Sequence, residues 1–392
     1  MRRLWLANLC AAAAAAQTLL VLPFAPQGSR GLEWIGESIA ETVGEALALE
    51  GWLSVAREDR AAAYARLGIR ENMPLTRATV IKIAQTLDAE QVIYGEFAVK
   101  PAEPPAAARG SLRLTAHLLD LRRTRQSPEF SEVGAVEDLA RLQNHLAWQT
   151  LVFLKAGAAP SEEDFLAARP AVRFESLEAY TRGLLAPEDA KAAYFIQAAR
   201  LDPRFPQPNF ELGRLHFRRR DFRAAAEALA KLPPGFTGYR EGMFYLGLSR
   251  YELGDFAAAE KAFQTIAESV PLNEVWNNLA AAQSRRGSAA AIENFRRAVD
   301  GDPGDPDYQF NLGYALWKKN DFAGAAAAFR TACERSPGDQ EARLLLERCE
   351  KRKGPRAVGR DEGRERLKTD YQERAFQALK SILTPAREPR RN

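Results

Sequence analysis

Three histidines, His117, His145 and His216, are the first residues to test for chemistry, as metal ligands or general bases. None has a neighbour at metal-ligand spacing, and the sequence contains no HExxH. Each is therefore read as structural. Glu37, Glu41 and Glu45 stand four residues apart, on one face of a predicted helix. Paired carboxylates can do acid–base work, but a solvated helix face accounts for them more simply. There is no GxxxxGK[ST], no GxGxxG after a strand and no GxSxG elbow. Beyond the N-terminal Cys10, the cysteines are Cys333 and Cys349, on either side of a turn at Pro337. On antiparallel helices their offset is roughly 12 Å at 1.5 Å per residue. That exceeds the usual reach of a disulfide, so two free, mostly buried thiols are expected. The sequence thus predicts no catalytic residues, no metal and no cofactor.

At 392 residues the chain is long enough for two or three domains. Its formal charge of +4 is small for that length and gives no argument for nucleic acid. Scarce cysteine excludes a disulfide scaffold.

The chain is organised around a repeat. Leu212, Leu246, Leu279 and Leu312 recur at intervals of 34, 33 and 33, followed by Gly213, Gly247, Ala280 and Gly313. Asp221-Phe222, Asp255-Phe256 and Asp321-Phe322 come next, then Ala225, Ala259 and Ala325. Phe195, Phe263, Phe295 and Phe329 each precede a proline by eight residues. Each unit reads as two antiparallel helices. The small residue after leucine permits close approach, Asp caps the second helix, and proline ends it. One such unit cannot bury its own apolar face, so units stack into a solenoid.

The period and landmarks resemble the tetratricopeptide repeat, or TPR. About four full units are expected over 173–350, closed by an amphipathic capping helix from Asp339 to Glu350. The first unit, from Ser176 to Pro203, is shortened. The unit containing Leu229 lacks its phenylalanine and closing proline. Within the family the first helix of each unit lines the groove. Residues two before and two after the packing leucine lie about 200° from it. This selects Phe210 and Arg214, Phe244 and Leu248, Asn277 and Ala281, Phe310 and Tyr314. The next turn adds Phe217, Tyr251, Ser284 and Trp317, with Arg218 beside Arg214 at one end. Family members that clamp a terminal carboxylate carry lysine and asparagine here. With phenylalanine in three of four leading places, an apolar or amphipathic partner segment is the better expectation. The competing reading is that these rings fill the interior between units, or lie beneath a C-terminal helix.

Residues 17–155 read differently. Thr18 to Phe24, Leu53 to Ala56, Gln91 to Val99, Leu112 to Leu121 and Phe130 to Val136 are predicted strands. Leu32 to Leu49, Arg60 to Leu67, Thr76 to Leu87 and Val136 to Leu154 are predicted helices. Such mixing predicts an α/β sandwich. Leu22-Pro23-Phe24, Glu33 to Ala40, Ile83-Ala84, Ala89 to Gly95, Leu112 to Asp120 and Glu137 to Ala147 resemble the TolB-like or FlgO-like periplasmic domain. The family's usual glycine or aspartate-glycine is here Gly36-Glu37. The resemblance implies envelope assembly or sensory roles and carries over no catalytic residue. The expected fold class is therefore α+β multidomain: a TolB/FlgO-like α/β sandwich followed by an all-α TPR solenoid.

Residues 1–16 read as a signal peptide, with Arg2 and Arg3, an apolar core from Leu4 and Ala14-Ala15-Ala16 before Gln17. An uncleaved anchor is the alternative, but the run is short for a bilayer core of roughly 30 Å. Asn8 and Leu9 argue against lipidation of Cys10. Residues 156–172, with Gly157, Pro160 and Pro170, are expected to be a linker. Residues 351–392 are read as a basic flexible segment followed by a helix from Arg364 to Leu383. From Glu350 onward there are 13 Lys and Arg against 7 Asp and Glu, so weak contact with anionic surfaces is an option. The expectation is a periplasmic or secreted, non-enzymatic adaptor that binds other proteins. The alternative readings are a sensor whose α/β domain binds a small ligand and signals through the repeats, and an enzyme with an unrecognised site in the α/β domain.

Overall fold

The computed structural model describes residues 18–28, 31–70, 73–102, 109–155, 157–355 and 365–383. The predicted signal segment lies outside them. Among the described residues no helix is long and apolar enough to cross a membrane. The chain divides into two compact units. One holds the residues up to Pro208 and those from Arg374; the other is Asn209–Glu373.

The first unit is built on a mixed sheet. Its strands are β1 (Thr18–Val21), β2 (Ala25–Pro26), β3 (Leu53–Ser54), β4 (Gln91–Lys100), β5 (Ser111–Asp120), β6 (Arg125–Gln126) and β7 (Phe130–Ala135). The order is β3-β1-β4-β5-β6, with β2 also paired to β4 and β7 to β5. β1 runs parallel to β3 and β4, whereas β4 and β5 form an antiparallel pair from Gln91↔Asp120 to Lys100↔Ser111. The helices are α1 (Glu33–Ala48), α2 (Arg57–Leu67), α3 (Arg77–Thr86) and α4 (Leu139–Leu154). Alternate strand residues face opposite ways. Leu20, Leu22 and Val92 pack with Tyr64, Val80, Ile83 and Ala84 of α2 and α3. α1 lies along β1, β2 and β3 and against α4, and buries Ile35, Ile39, Val43 and Leu47 at helical spacing. Gly36 sits where a Cβ would fall 2.1 Å from the Phe24 carbonyl oxygen, so only glycine lets α1 approach the chain this closely.

The face carrying Glu37 is not solvated as expected. Glu37 is 5% exposed. Its carboxylate pairs with the Arg60 guanidinium and accepts from Arg57 Nε at 3.0 Å. Arg60 also donates to the Val21 carbonyl at 3.0 Å. The cause is tertiary: α2 brings two arginines over a carboxylate that α1 alone would leave in water.

The stretch read as a linker is a built part of this unit. It carries α5 (Glu162–Ala167), capped by Ser161 on the Asp164 amide at 3.1 Å. Phe165 is buried under the Arg169 guanidinium, which also reaches the Ala46 carbonyl and Glu50. The unit continues through a helix pair, α6 (Phe174–Leu185) and α7 (Lys191–Leu201), which is the shortened repeat. Phe174 packs edge-on to Trp34 of α1 at 5.5 Å.

The second unit contains α8 (Gln207–Arg218, its first two residues on the other side of the division), α9 (Phe222–Leu229), α10 (Tyr239–Glu252) and α11 (Phe256–Ala267). It continues with α12 (Asn273–Arg285), α13 (Ala290–Gly301), α14 (Pro306–Lys318), α15 (Phe322–Arg335) and the closing helix α16 (Gln340–Glu350). They form helix pairs, α8 with α9 through α14 with α15, followed by α16. Asp221, Asp255 and Asp321 each accept from the amide three residues on, at 3.2, 3.2 and 3.0 Å. A Cβ on Gly247 would lie 2.7 Å from the Phe263 ring, so the glycine after the leucine does admit the paired helix. The start of the helix expected from Arg364 lies outside the described residues; residues 365–372 lie in no helix or strand, and α17 (Glu373–Leu383) begins after them.

Candidate protein-binding groove

Within the second unit, the first helices of the repeats hold an extended stretch of the chain itself, Glu365 to Gln372. The stretch satisfies its backbone on asparagines. Asn311 Oδ1 accepts from the Arg366 amide at 2.7 Å, and Asn311 Nδ2 donates back to the Arg366 carbonyl at 2.7 Å. Asn277 Nδ2 donates to the same carbonyl at 2.8 Å. Two residues on, Asn278 repeats the device: its Oδ1 accepts from the Lys368 amide at 2.9 Å and its Nδ2 donates to the Lys368 carbonyl at 2.8 Å. Asn277, Asn278 and Asn311 are fully buried and linked to one another. An extended strand presents such groups at residues i and i+2, and a carboxamide carries both a donor and an acceptor.

The side chains are read as well. The Glu365 carboxylate is withdrawn from solvent. It accepts from Ser284 Oγ at 2.6 Å and Tyr251 Oη at 3.1 Å, with Lys318 Nζ at 3.5 Å and Arg285 at 3.8 Å. Arg366 makes a two-pronged bond to Asp339 at 2.5 and 3.0 Å. It also meets Glu341 at 3.2 Å and lies over the Phe310 ring at 3.5 Å. Lys368 Nζ sits between Asp305 and Asp307 at 2.7 and 2.8 Å. The Tyr371 ring rests on Phe244 at 5.1 Å. Gln372 donates its amide to Glu274 at 3.1 Å, and Glu373 pairs with Arg240.

Of the residues selected from sequence, Tyr251, Asn277, Ser284, Phe244 and Phe310 meet this segment directly. Phe244 and Phe310 are also pinned edge-on by Phe263 and Phe329 of their paired helices, so they are packing and groove floor together. Leu248 is buried. Tyr314 lies between Phe310 and Trp317, whose indole N–H donates to the Lys353 carbonyl at 2.8 Å. Phe210, Arg214 and Phe217 form a separate cluster: Phe210 packs on Phe236, Phe217 on Tyr245, and Arg214 pairs with Glu211 and Glu241. Arg218, beside them, is exposed. The chain's own segment in the groove brings three charged side chains, Glu365, Arg366 and Lys368, and one ring, Tyr371, to these residues.

Sequence reasoning missed Asn278, Asn311, Lys318 and the acidic floor of Asp305, Asp307 and Asp339. One signal was available. Asn278 and Asn311 immediately precede Leu279 and Leu312, one repeat apart.

The remaining candidates for chemistry are occupied structurally. His145 Nδ1 lies 2.5 Å from Glu132 and its ring stacks on Trp148. His216 stands 3.6 Å from Asp221, and His117 3.9 Å from Glu129. Cys333 and Cys349 are free, and burial pushes the Cys349 thiol up to about 11. Among the described residues no group of three or more His, Cys, Asp or Glu could hold a metal ion.

The Arg366 hydrogen bond holds the Asp339 carboxyl below its ordinary range. A depressed carboxyl stabilises above its unfolded pKa and loses that contribution as pH falls through its folded pKa. The clamp is therefore expected to persist through neutral and mildly acidic pH and to open only below the usual aspartate range. The Arg366 amide resonance, followed by NMR against pH, should move there; a shift centred at about pH 6, the histidine range, would contradict the assignment.

Residues 182–239 and 280–340 match one tetratricopeptide-repeat family model, and 241–273 match a second. These stretches are tetratricopeptide repeats. Among solved structures, YrrB, a TPR protein described as having an unusual peptide-binding site, is 16% identical. That match covers 45% of this chain and 92% of YrrB, with a TM-score of 0.41. MamA (41-end) from Desulfovibrio magneticus RS-1 is 18% identical over 43% of this chain and 99% of its own, with a TM-score of 0.39. TTC0263 from Thermus thermophilus is 17% identical over 44% and 98%, with a TM-score of 0.33. No curated protein matches the chain.

Proposed function

We propose that this chain is a non-enzymatic scaffold of the bacterial cell envelope that binds partner proteins by holding an extended segment in its repeat groove. One observation carries the binding reading: Asn311 and Asn278 each close a two-way hydrogen bond on the backbone of an extended chain, at residues two apart. Main-chain hydrogen bonds that leave the side chains to pockets are one way a protein takes an extended peptide. Support for the envelope comes from the charged start, apolar core and Ala14-Ala15-Ala16 site of the N-terminus, and from the resemblance of 18–154 to TolB-like or FlgO-like periplasmic domains. The β4–β5 sheet with α1 to α4 is compatible with that resemblance.

The test uses full chain carrying Arg366→Ala and Lys368→Ala, which loosens the resident segment. Immobilised and exposed to envelope extract, it should crosslink a protein through the groove, and adding Asn278→Ala should abolish that crosslink. Capture that is indifferent to Asn278→Ala would remove the groove from the function.

A further inference from the structure

The groove does not hold its segment by backbone alone: its side-chain subsites are a carboxylate pocket, two adjacent acidic cation sites that share Asp307, and an aromatic ring. The first is a buried pocket of Ser284, Tyr251 and Lys318, which presents donors and a cation to one carboxylate. Beside it, Asp339 and Glu341 bond the Arg366 guanidinium and Phe310 lies under its face, a fork and a ring that suit a planar guanidinium. The third, two residues along, is the pair Asp305 and Asp307, which suits a compact ammonium. The fourth is the Phe244 ring, which takes an aromatic face. Between the second and third, Asn311 and Asn278 fix the register, because each grips one residue of the strand. A segment slipped by one residue would bring Leu367 and Thr369, or Glu365 and Leu367, to the acidic floor and leave its charges without cations, which is costly where they are removed from water.

We propose that this groove is a receptor for a defined sequence pattern, acidic–Arg–x–Lys–x–x–aromatic in extended conformation. Glu365 to Tyr371 is the chain's own copy, which a partner segment of the same chemistry must displace. The inference rests on the peptide-binding reading above and adds the partner's chemistry and the resident competitor. Charge order is the discriminating feature. The cation sites are lined by Asp305, Asp307, Asp339 and Glu341, so a segment with acids at those two places is repelled. Occupancy in cis sets the threshold. A tethered segment acts at a high effective concentration, so a free peptide meets a groove that is mostly filled.

The experiment uses the full chain and a fluorescein-labelled synthetic peptide, Glu-Arg-Leu-Lys-Thr-Asp-Tyr, followed by anisotropy. A tail variant, Glu365→Ala with Arg366→Ala and Lys368→Ala, removes the charged side chains that hold the segment and so loosens it; circular dichroism confirms that its helices remain, and Lys368→Ala alone is the milder second variant. The tail variant should bind the peptide at least tenfold more tightly than the unaltered chain, with Lys368→Ala in between. A peptide with glutamate in place of its arginine and lysine should bind the tail variant at least tenfold more weakly. Equal affinity of the unaltered chain and both variants would overturn cis occupancy. Equal affinity for the two peptides would overturn the sequence pattern. If discrimination fails while Asn278-dependent capture from extract persists, the pattern falls and the binding groove stands; if that capture fails too, both fall.

Discussion

Replacing Phe244 with alanine is expected to destabilise the second unit by about 3–5 kcal/mol. The ring is fully buried. It meets Phe263 edge-on at 5.9 Å, Tyr245 edge-on at 5.9 Å and Tyr371 at 5.1 Å. Truncation therefore leaves a cavity between paired helices and removes the seat of the bound segment in one step. Thermal melting should show a fall of roughly 2–4 °C per kcal/mol for a unit of this size. Tyr371→Ala separates the two roles, because it removes only the ring above. It should leave the melting temperature nearly unchanged while freeing the segment. A Phe244→Ala protein that melts like the unaltered chain would show that the ring is not packed as described.

Arg60→Met is expected to cost about 3–5 kcal/mol in the first unit, the range for breaking a buried pair from one side. The substitution keeps most of the buried volume but strands the Glu37 carboxylate, which is 5% exposed, and leaves the Val21 carbonyl without its donor. Arg57 remains, yet it is one contact on a carboxylate that now has two. Replacing both partners, Arg60→Met with Glu37→Leu, should recover most of the loss, because the desolvated charge goes with its partner. Urea denaturation measures each step. A single-variant loss under about 1 kcal/mol would place the pair among ordinary surface bridges.

These two sites mark where the sequence is and is not legible. The strands are readable because alternation survives burial, as in Leu112, Leu114, Ala116 and Leu118 of β5, all buried on one face. The helix pairs are readable because Asp221, Asp255 and Asp321 cap locally, with no help from distant residues. Glu37 is misleading because its partners lie 20 and 23 residues away on another helix. Spacing along α1 gives the face but not what covers it. The C-terminal segment misleads for a related reason. Leu367, Tyr371, Ala375 and Leu379 stand four apart, which mimics a helix. A helix would satisfy its backbone internally; here Asn278 and Asn311 do so from outside, and the extended form wins from Glu365 to Gln372. Much of the groove floor can be found from the repeat rule, because Phe244, Asn277 and Phe310 follow from the angle and Tyr251 and Ser284 from one further turn. The acidic subsites cannot, since Asp305 and Asp339 sit at helix starts, where an aspartate already has a local use as a cap.

Amide hydrogen exchange of the full chain tests the central claim most directly. Arg366 and Lys368 donate their amides to buried carboxamides, although residues 365–372 lie in no helix or strand. Both amides are expected to exchange slowly in the unaltered protein, with Asn311→Ala releasing Arg366 and Asn278→Ala releasing Lys368. Exchange of both at the rate of an open chain in the unaltered protein would contradict the capture of this segment by the repeats.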